Sequence, residues 1–157
     1  MRKLLSILLT TILCAVAFCG CLRRGNMPFN GDVEFHGIKV TIPVSYVRDS
    51  TQSSDELWVF EHGNYDKYIM ISCKPAKSKD AVKSYAGFIE SQGGSAEDVK
   101  LADLDAVRLT YTQDNKETRE TVFVMDDHIY AIALRGSDDA EYQELIDSFK
   151  VITKESK

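Results

Sequence analysis

Beyond residue 21 the chain has one cysteine, Cys73; the other three, Cys14, Cys19 and Cys21, crowd into its first stretch. With Cys73 alone, that later part can form no internal disulfide, so its fold must rest on a packed core. A basic surplus is also missing: 19 Lys and Arg stand against 24 Asp and Glu, for a net charge of −5. That balance excludes the basic footprint of a nucleic-acid binder. No apolar run reaches the roughly 20 residues needed to cross a bilayer core as a helix. The uncharged, mostly apolar stretch Leu4–Cys19 has only 16 residues. Missing as well are G-x-S-x-G, H-E-x-x-H, a P-loop and a redox C-x-x-C, since Cys19-Gly20-Cys21 has the wrong spacing. There is no internal repeat and no low-complexity tract.

What the chain does have begins with a basic pair, Arg2 and Lys3, followed by that short apolar stretch and then small residues. This is the make-up of a secretory signal. Around the break the order is Phe18-Cys19-Gly20-Cys21, which resembles the bacterial lipobox: a large apolar residue, two small ones and an obligatory cysteine. Phe18 stands where Leu is usual. Cys19 as acceptor would put bulky Phe18 directly before it, so the resemblance selects Cys21. It implies that residues 1–20 are removed and that Cys21 becomes the first residue, carrying a thioether-linked diacylglyceryl group. Two acyl chains anchor stably where one is marginal, at about 0.8 kcal/mol per buried methylene. Arg23 and Arg24 would then lie at headgroup level, each contributing about 1 kcal/mol toward an anionic surface. Removing the leader takes the net charge from −5 to −7, because it carries Arg2 and Lys3 and no acid. An acidic body is repelled by anionic lipid and is expected to hang from its tether.

Residues 21–31, the lipidated Cys21 and an aperiodic segment with Pro28, read as a linker spanning at most about 35 Å. Residues 32–157 are the size of one ordinary domain. Within it Ile38, Val40 and Ile42 alternate with Lys39 and Thr41, a half-buried strand ending at Pro43. "LWVF" (57–60) and "KYIMISC" (67–73) flank a turn and predict a hairpin. The period then changes. Val82, Tyr85, Ala86 and Ile89 share one helical face, with Ser78 as N-cap and Gly93-Gly94 as the stop. Three strands follow, around 106–113, 118–126 and 128–135, and a last helix carries Tyr142, Leu145, Ile146 and Phe149, with Asp138 and Glu141 at capping-box spacing. The strand at 107–111 alternates, whereas "VFVM" (122–125) and "IYAIAL" (129–134) are apolar on both faces. A strand of that kind lies in a sheet covered on both sides. The expected class is therefore α+β, an antiparallel sheet of about six strands covered by helices on both faces, an α/β/α sandwich.

That order resembles the PsbP-like family, named after an extrinsic subunit of the photosystem II oxygen-evolving complex. The carriers are "GIKVTIPVSY", like that family's opening strand ending in Pro, and "YQELIDSFKVI", like its final helix running into a Ser-Phe pair. The resemblance implies a small extracytoplasmic or adaptor protein that binds partners, with no catalysis. The photosystem subunit's metal and docking residues have no match here, so photosynthetic function is not implied.

Candidate chemistry is sparse. Strand alternation puts Cys73 with Ile69 and Ile71, facing the core as a small hydrophobe, against the alternative of a nucleophile beside Lys74. His36, His62 and His128 each stand beside a predicted turn; "EH" (61–62) and "DDH" (126–128) are the segments from which a metal site would be built. Trp58 and Phe60 share a strand face, read as core rather than as an aromatic platform, and Tyr65 is the loop aromatic expected to be exposed. No cofactor or resident metal is expected. The sequence thus points to a lipid-anchored protein facing the extracytoplasmic side of the cell membrane, or of an outer membrane in a two-membrane envelope. It would be a non-catalytic binding or assembly module with an envelope protein as partner. The alternative is a membrane-anchored metal-dependent protein or enzyme acting through His62, His128 and Asp127.

Overall fold

The structure, a computed structural model, describes residues 31–63, 66–76, 78, 80–136 and 139–152. Cys21, Arg23, Arg24, Tyr65 and Asp138, singled out from the sequence, lie outside these residues. No helix among the described residues is long and apolar enough to cross a membrane.

Two antiparallel sheets form the body. The smaller has three strands, β1 (Gly31–Phe35), β2 (Ile38–Ile42) and β10 (Lys150–Val151), in the order β1-β2-β10. The larger holds β3 (Tyr46–Arg48), β4 (Leu57–His62), β5 (Tyr68–Pro75), β6 (Ser95–Leu101), β7 (Leu104–Gln113), β8 (Lys116–Met125) and β9 (His128–Arg135). Its order is β3-β4-β5-β9-β8-β7-β6. Tight hairpins fold β7, β8 and β9 back on one another. Asp114-Asn115 and Asp126-Asp127 both have positive φ, between 48° and 60°, the requirement of a two-residue turn whose twist suits the strands.

Helix α1 (Ala81–Ser91) and helix α2 (Asp139–Asp147) lie where the 3.6-residue period placed them. The expected cap is corrected: Asp80, not Ser78, occupies the N-cap of α1, and it makes no side-chain cap bond. The stop is as read. Gly93 has φ 87°, and the Gly94 N–H donates to the Ile89 carbonyl at 3.0 Å. A Cβ on Gly94 would stand 2.6 Å from the Ile89 side chain and 2.9 Å from the Thr110 carbonyl, so only glycine lets α1 end against β7.

The layering differs from the expected α/β/α sandwich. One face of the large sheet takes α1, whose Ala86 and Ile89 pack on Val107, Leu109 and Val122. The opposite face is covered mainly by the small sheet, with α2 beside it, through Ile38, Val40, Ile42, Tyr142, Leu145 and Phe149. The strand ending at Pro43 belongs to this second sheet: it pairs with β1 and β10, and its alternating Ile38, Val40 and Ile42 are buried in the core shared with the large sheet. Both faces of "VFVM" and "IYAIAL" are apolar for the stated reason: Phe123 and Ile132 point to one layer, Val122 and Ala131 to the other. Helix α1 packs mainly on β6, β7 and β8. Over β5 and β9 the same face carries Ser72 and Ala131, which the described residues leave partly exposed beside the helix.

Strand β6 carried no sequence signal. It forms the outer edge of the sheet, and Glu97, Asp98 and Lys100 are exposed along it, which blunts a free edge but erases the apolar alternation.

Candidate functional site

Two of the three histidines meet at one end of the body. His36 and Gly37 form the β1–β2 turn, and His128 opens β9 after the Asp126-Asp127 turn. Together with Val151 and Ile152 they rim a cleft of about 580 Å³ whose floor is lined by the buried Cys73 and Tyr130. The Tyr130 hydroxyl donates to the His36 carbonyl at 2.8 Å, and the Ile152 N–H donates to the Gly37 carbonyl at 2.8 Å, tying the small sheet to the large one. His36 Nε2 lies 2.6 Å from the Asp55 carbonyl and His128 Nδ1 2.8 Å from the Asp126 carbonyl. A carbonyl only accepts, so in each ring that nitrogen carries the hydrogen.

Cys73 is 4 % exposed, and burial pushes its thiol up, with the Tyr130 hydroxyl partly offsetting the effect. A thiol so placed is a core hydrophobe and no ready nucleophile. His62 sits elsewhere, its ring 5.2 Å from that of Tyr46. Register puts Tyr68 of β5 opposite Arg135 and Pro75 opposite His128. His62, whose N–H donates to the Lys67 carbonyl, is thus separated from His128 by the length of β5, about 23 Å at 3.3 Å per residue. The alternative that pairs "EH" with "DDH" is not assembled, and among the described residues no group of three or more His, Cys, Asp or Glu is placed to hold a metal ion. Trp58 and Phe60 join the core, as read; Phe60 is fully enclosed, and the Arg48 guanidinium lies 4.0 Å over the Trp58 ring.

The α1 face holds a polar group that pattern reading passed over. Glu120 of β8 is 7 % exposed. Its Oε2 accepts hydrogen bonds from the Tyr85 hydroxyl of α1 at 3.0 Å and from the Tyr111 hydroxyl of β7 at 3.1 Å. Burial pushes the Glu120 carboxyl up, and the two phenol bonds only partly offset this. Burial, with the carboxylate beside it, pushes Tyr85 up to about 12 and Tyr111 higher still. Glu120 lines a cleft of about 290 Å³ on the open part of the face, together with Ser72, Lys74, Tyr85, Ile129 and Ala131. In sequence Glu120 looks like the polar start of an apolar strand. The available signal was its ladder position: between Leu109 of β7 and Ala133 of β9, in an interior strand, a carboxylate needs partners.

This burial has a pH consequence. The folded pKa of Glu120 lies above its unfolded value, so between the two the folded chain keeps a proton that the unfolded chain has released. Stability therefore falls as pH rises through that window, by at most about 1.4 kcal/mol per pH unit for one proton. Glu120→Gln, neutral at every pH, is expected to remove this component. Urea unfolding at pH 5 and pH 8 checks it: the wild type should lose more stability on going to pH 8 than the variant does.

A third cleft, at the start of α2, contains Arg108, Arg119 and Tyr142. It is largely self-neutralised, because Arg119 pairs with Glu117 and, at 2.8 Å, with Asp139.

No family model matches the chain, and no curated protein matches it. Solved structures do. A protein from Bacteroides thetaiotaomicron VPI-5482 superposes with a TM-score of 0.56 at 13 % identity, over 81 % of this chain. This chain spans only 50 % of that protein's length. The solution structure of cyanobacterial PsbP (CyanoP) from Synechocystis sp. PCC 6803 also superposes with a TM-score of 0.56, at 15 % identity, over 83 % of this chain and 96 % of that one. At such identities the likeness concerns the backbone path. Two sheets and two helices in this order make the fold PsbP-like.

Proposed function

We propose that the chain is a lipid-tethered, extracytoplasmic binding module of the cell envelope, held by Cys21 and working without catalysis. The observation that carries the binding role is the face beside α1: an open cleft over β5 and β9 with a buried carboxyl in its wall. The lipobox-like leader supports the location. The PsbP-like resemblance, which implies partner-binding proteins, supports the class of activity. The alternative acting through His62, His128 and Asp127 loses support because His62 lies the length of β5 away from the other two.

Site-specific photocrosslinking in native envelopes tests the reading. A label at Ser72, on the open face, is expected to give a reproducible adduct; the same label at Asp98, on the outer edge of β6, is expected to give none. Equal yields at the two positions would overturn it.

A further inference from the structure

We propose that the cleft beside α1 binds a primary alkylammonium group, with Glu120 as its counter-ion. The inference rests on the binding-module reading and gives that module a ligand class.

The geometry leaves one donor site to fill. Two phenols already converge on Oε2 of Glu120, while Oε1 has no hydrogen-bond partner among the described residues and is not sealed from the cleft. No Lys or Arg among the described residues forms an ion pair with this carboxyl. The groups facing it are Tyr85 from α1, Tyr111 from β7 and, further along the cleft, Lys74 from β5; the Tyr130 side chain turns to the opposite face, where it stacks on Phe123. A single free oxygen suits the point donors of an ammonium group. A planar guanidinium is matched to two oxygens at once, and a divalent metal needs several donors that these residues do not bring together. A quaternary ammonium has no N–H to give.

The rest of the cleft suits the carbon chain. Val122, Ile129 and Ala131 form apolar wall, and the Tyr85 ring stands beside the carboxyl. Methylenes pack on such surfaces while the charged head keeps its partner. Lys74, exposed at the cleft, repels a second positive charge, which favours a monoamine over a diamine. Burial raises the Glu120 carboxyl above its ordinary value, and an ammonium partner draws it back down. Binding is therefore linked to proton release through the range in which Glu120 titrates, and strengthens as pH rises through that range.

Calorimetric titration of the full chain with n-butylammonium chloride, in two buffers of different ionisation enthalpy, tests this. Saturable binding with proton release is expected, weakened about tenfold or more by Glu120→Gln, by Ala131→Leu, which fills the cleft without touching the carboxyl, and by use of tetramethylammonium as the probe. Thermal melts show that each variant is folded. Undiminished binding to Glu120→Gln, equal binding of tetramethylammonium, or no saturation by butylammonium would each overturn the assignment. If butylammonium fails while the Ser72 crosslink persists, the ligand class falls and the binding module stands; if the crosslink also fails, both fall.

Discussion

Truncating Phe123 to Ala is expected to cost about 3–5 kcal/mol of folding stability, the range for emptying a large buried aromatic site. Phe123 lies in β8, the third strand in from the β6 edge of the large sheet, and has no exposed surface. Its ring stacks on Tyr130 at 5.2 Å and meets the edge of Phe149 at 5.3 Å. Tyr130 in turn holds the β1–β2 turn through its hydroxyl, and Phe149 follows α2, so one side chain joins the large sheet to both parts of its lid. Natural domains have only about 5–15 kcal/mol of stability, so the variant would be marginal. Phe88→Ala is the control. That ring is 57 % exposed on α1, and its loss should stay within about 0.5 kcal/mol. Urea unfolding followed by circular dichroism measures both; equal costs would mean that Phe123 does not join the layers.

Cys21→Ala is expected to abolish membrane retention. A thioether needs the sulfur, and the two acyl chains would supply nearly all of the anchoring energy, at about 0.8 kcal/mol per methylene inserted. The basic pair Arg23 and Arg24 contributes little beside that, and the acidic body opposes adsorption. In detergent phase separation the wild type should enter the detergent-rich phase and the variant the aqueous one. Intact mass of the wild type should begin at Cys21 with the lipid adduct. An unmodified thiol there, or a leader still attached, would remove the anchor from the proposal.

Much of the local structure was legible because its cause is local. Strand β2, the β4–β5 hairpin, β7 and both helices show a period of 2 or 3.6 because burial of a stripe or face writes it into the chain, while β8 and β9 show themselves as short apolar runs bounded by turns. Cys73 could be placed in the core by counting from Ile69 and Ile71 for the same reason. Strand β3 has three residues and β10 two, too few to show any period. In β6 the exposed charges serve a free edge, and they mask the strand.

The sequence by itself determined which faces are apolar, where the chain turns, and that the later part must fold without a disulfide. Only the tertiary structure decided what covers those faces: a hairpin-built second sheet with α2 on one side, and on the other a helix centred on β6, β7 and β8. Period reports that a surface is buried and carries no information on what buries it. The Glu120 site follows the same logic. Tyr85 is 35 residues from Glu120 and Tyr111 nine, on separate elements, and a buried carboxyl becomes recognisable once the fold has brought its hydroxyl donors to it.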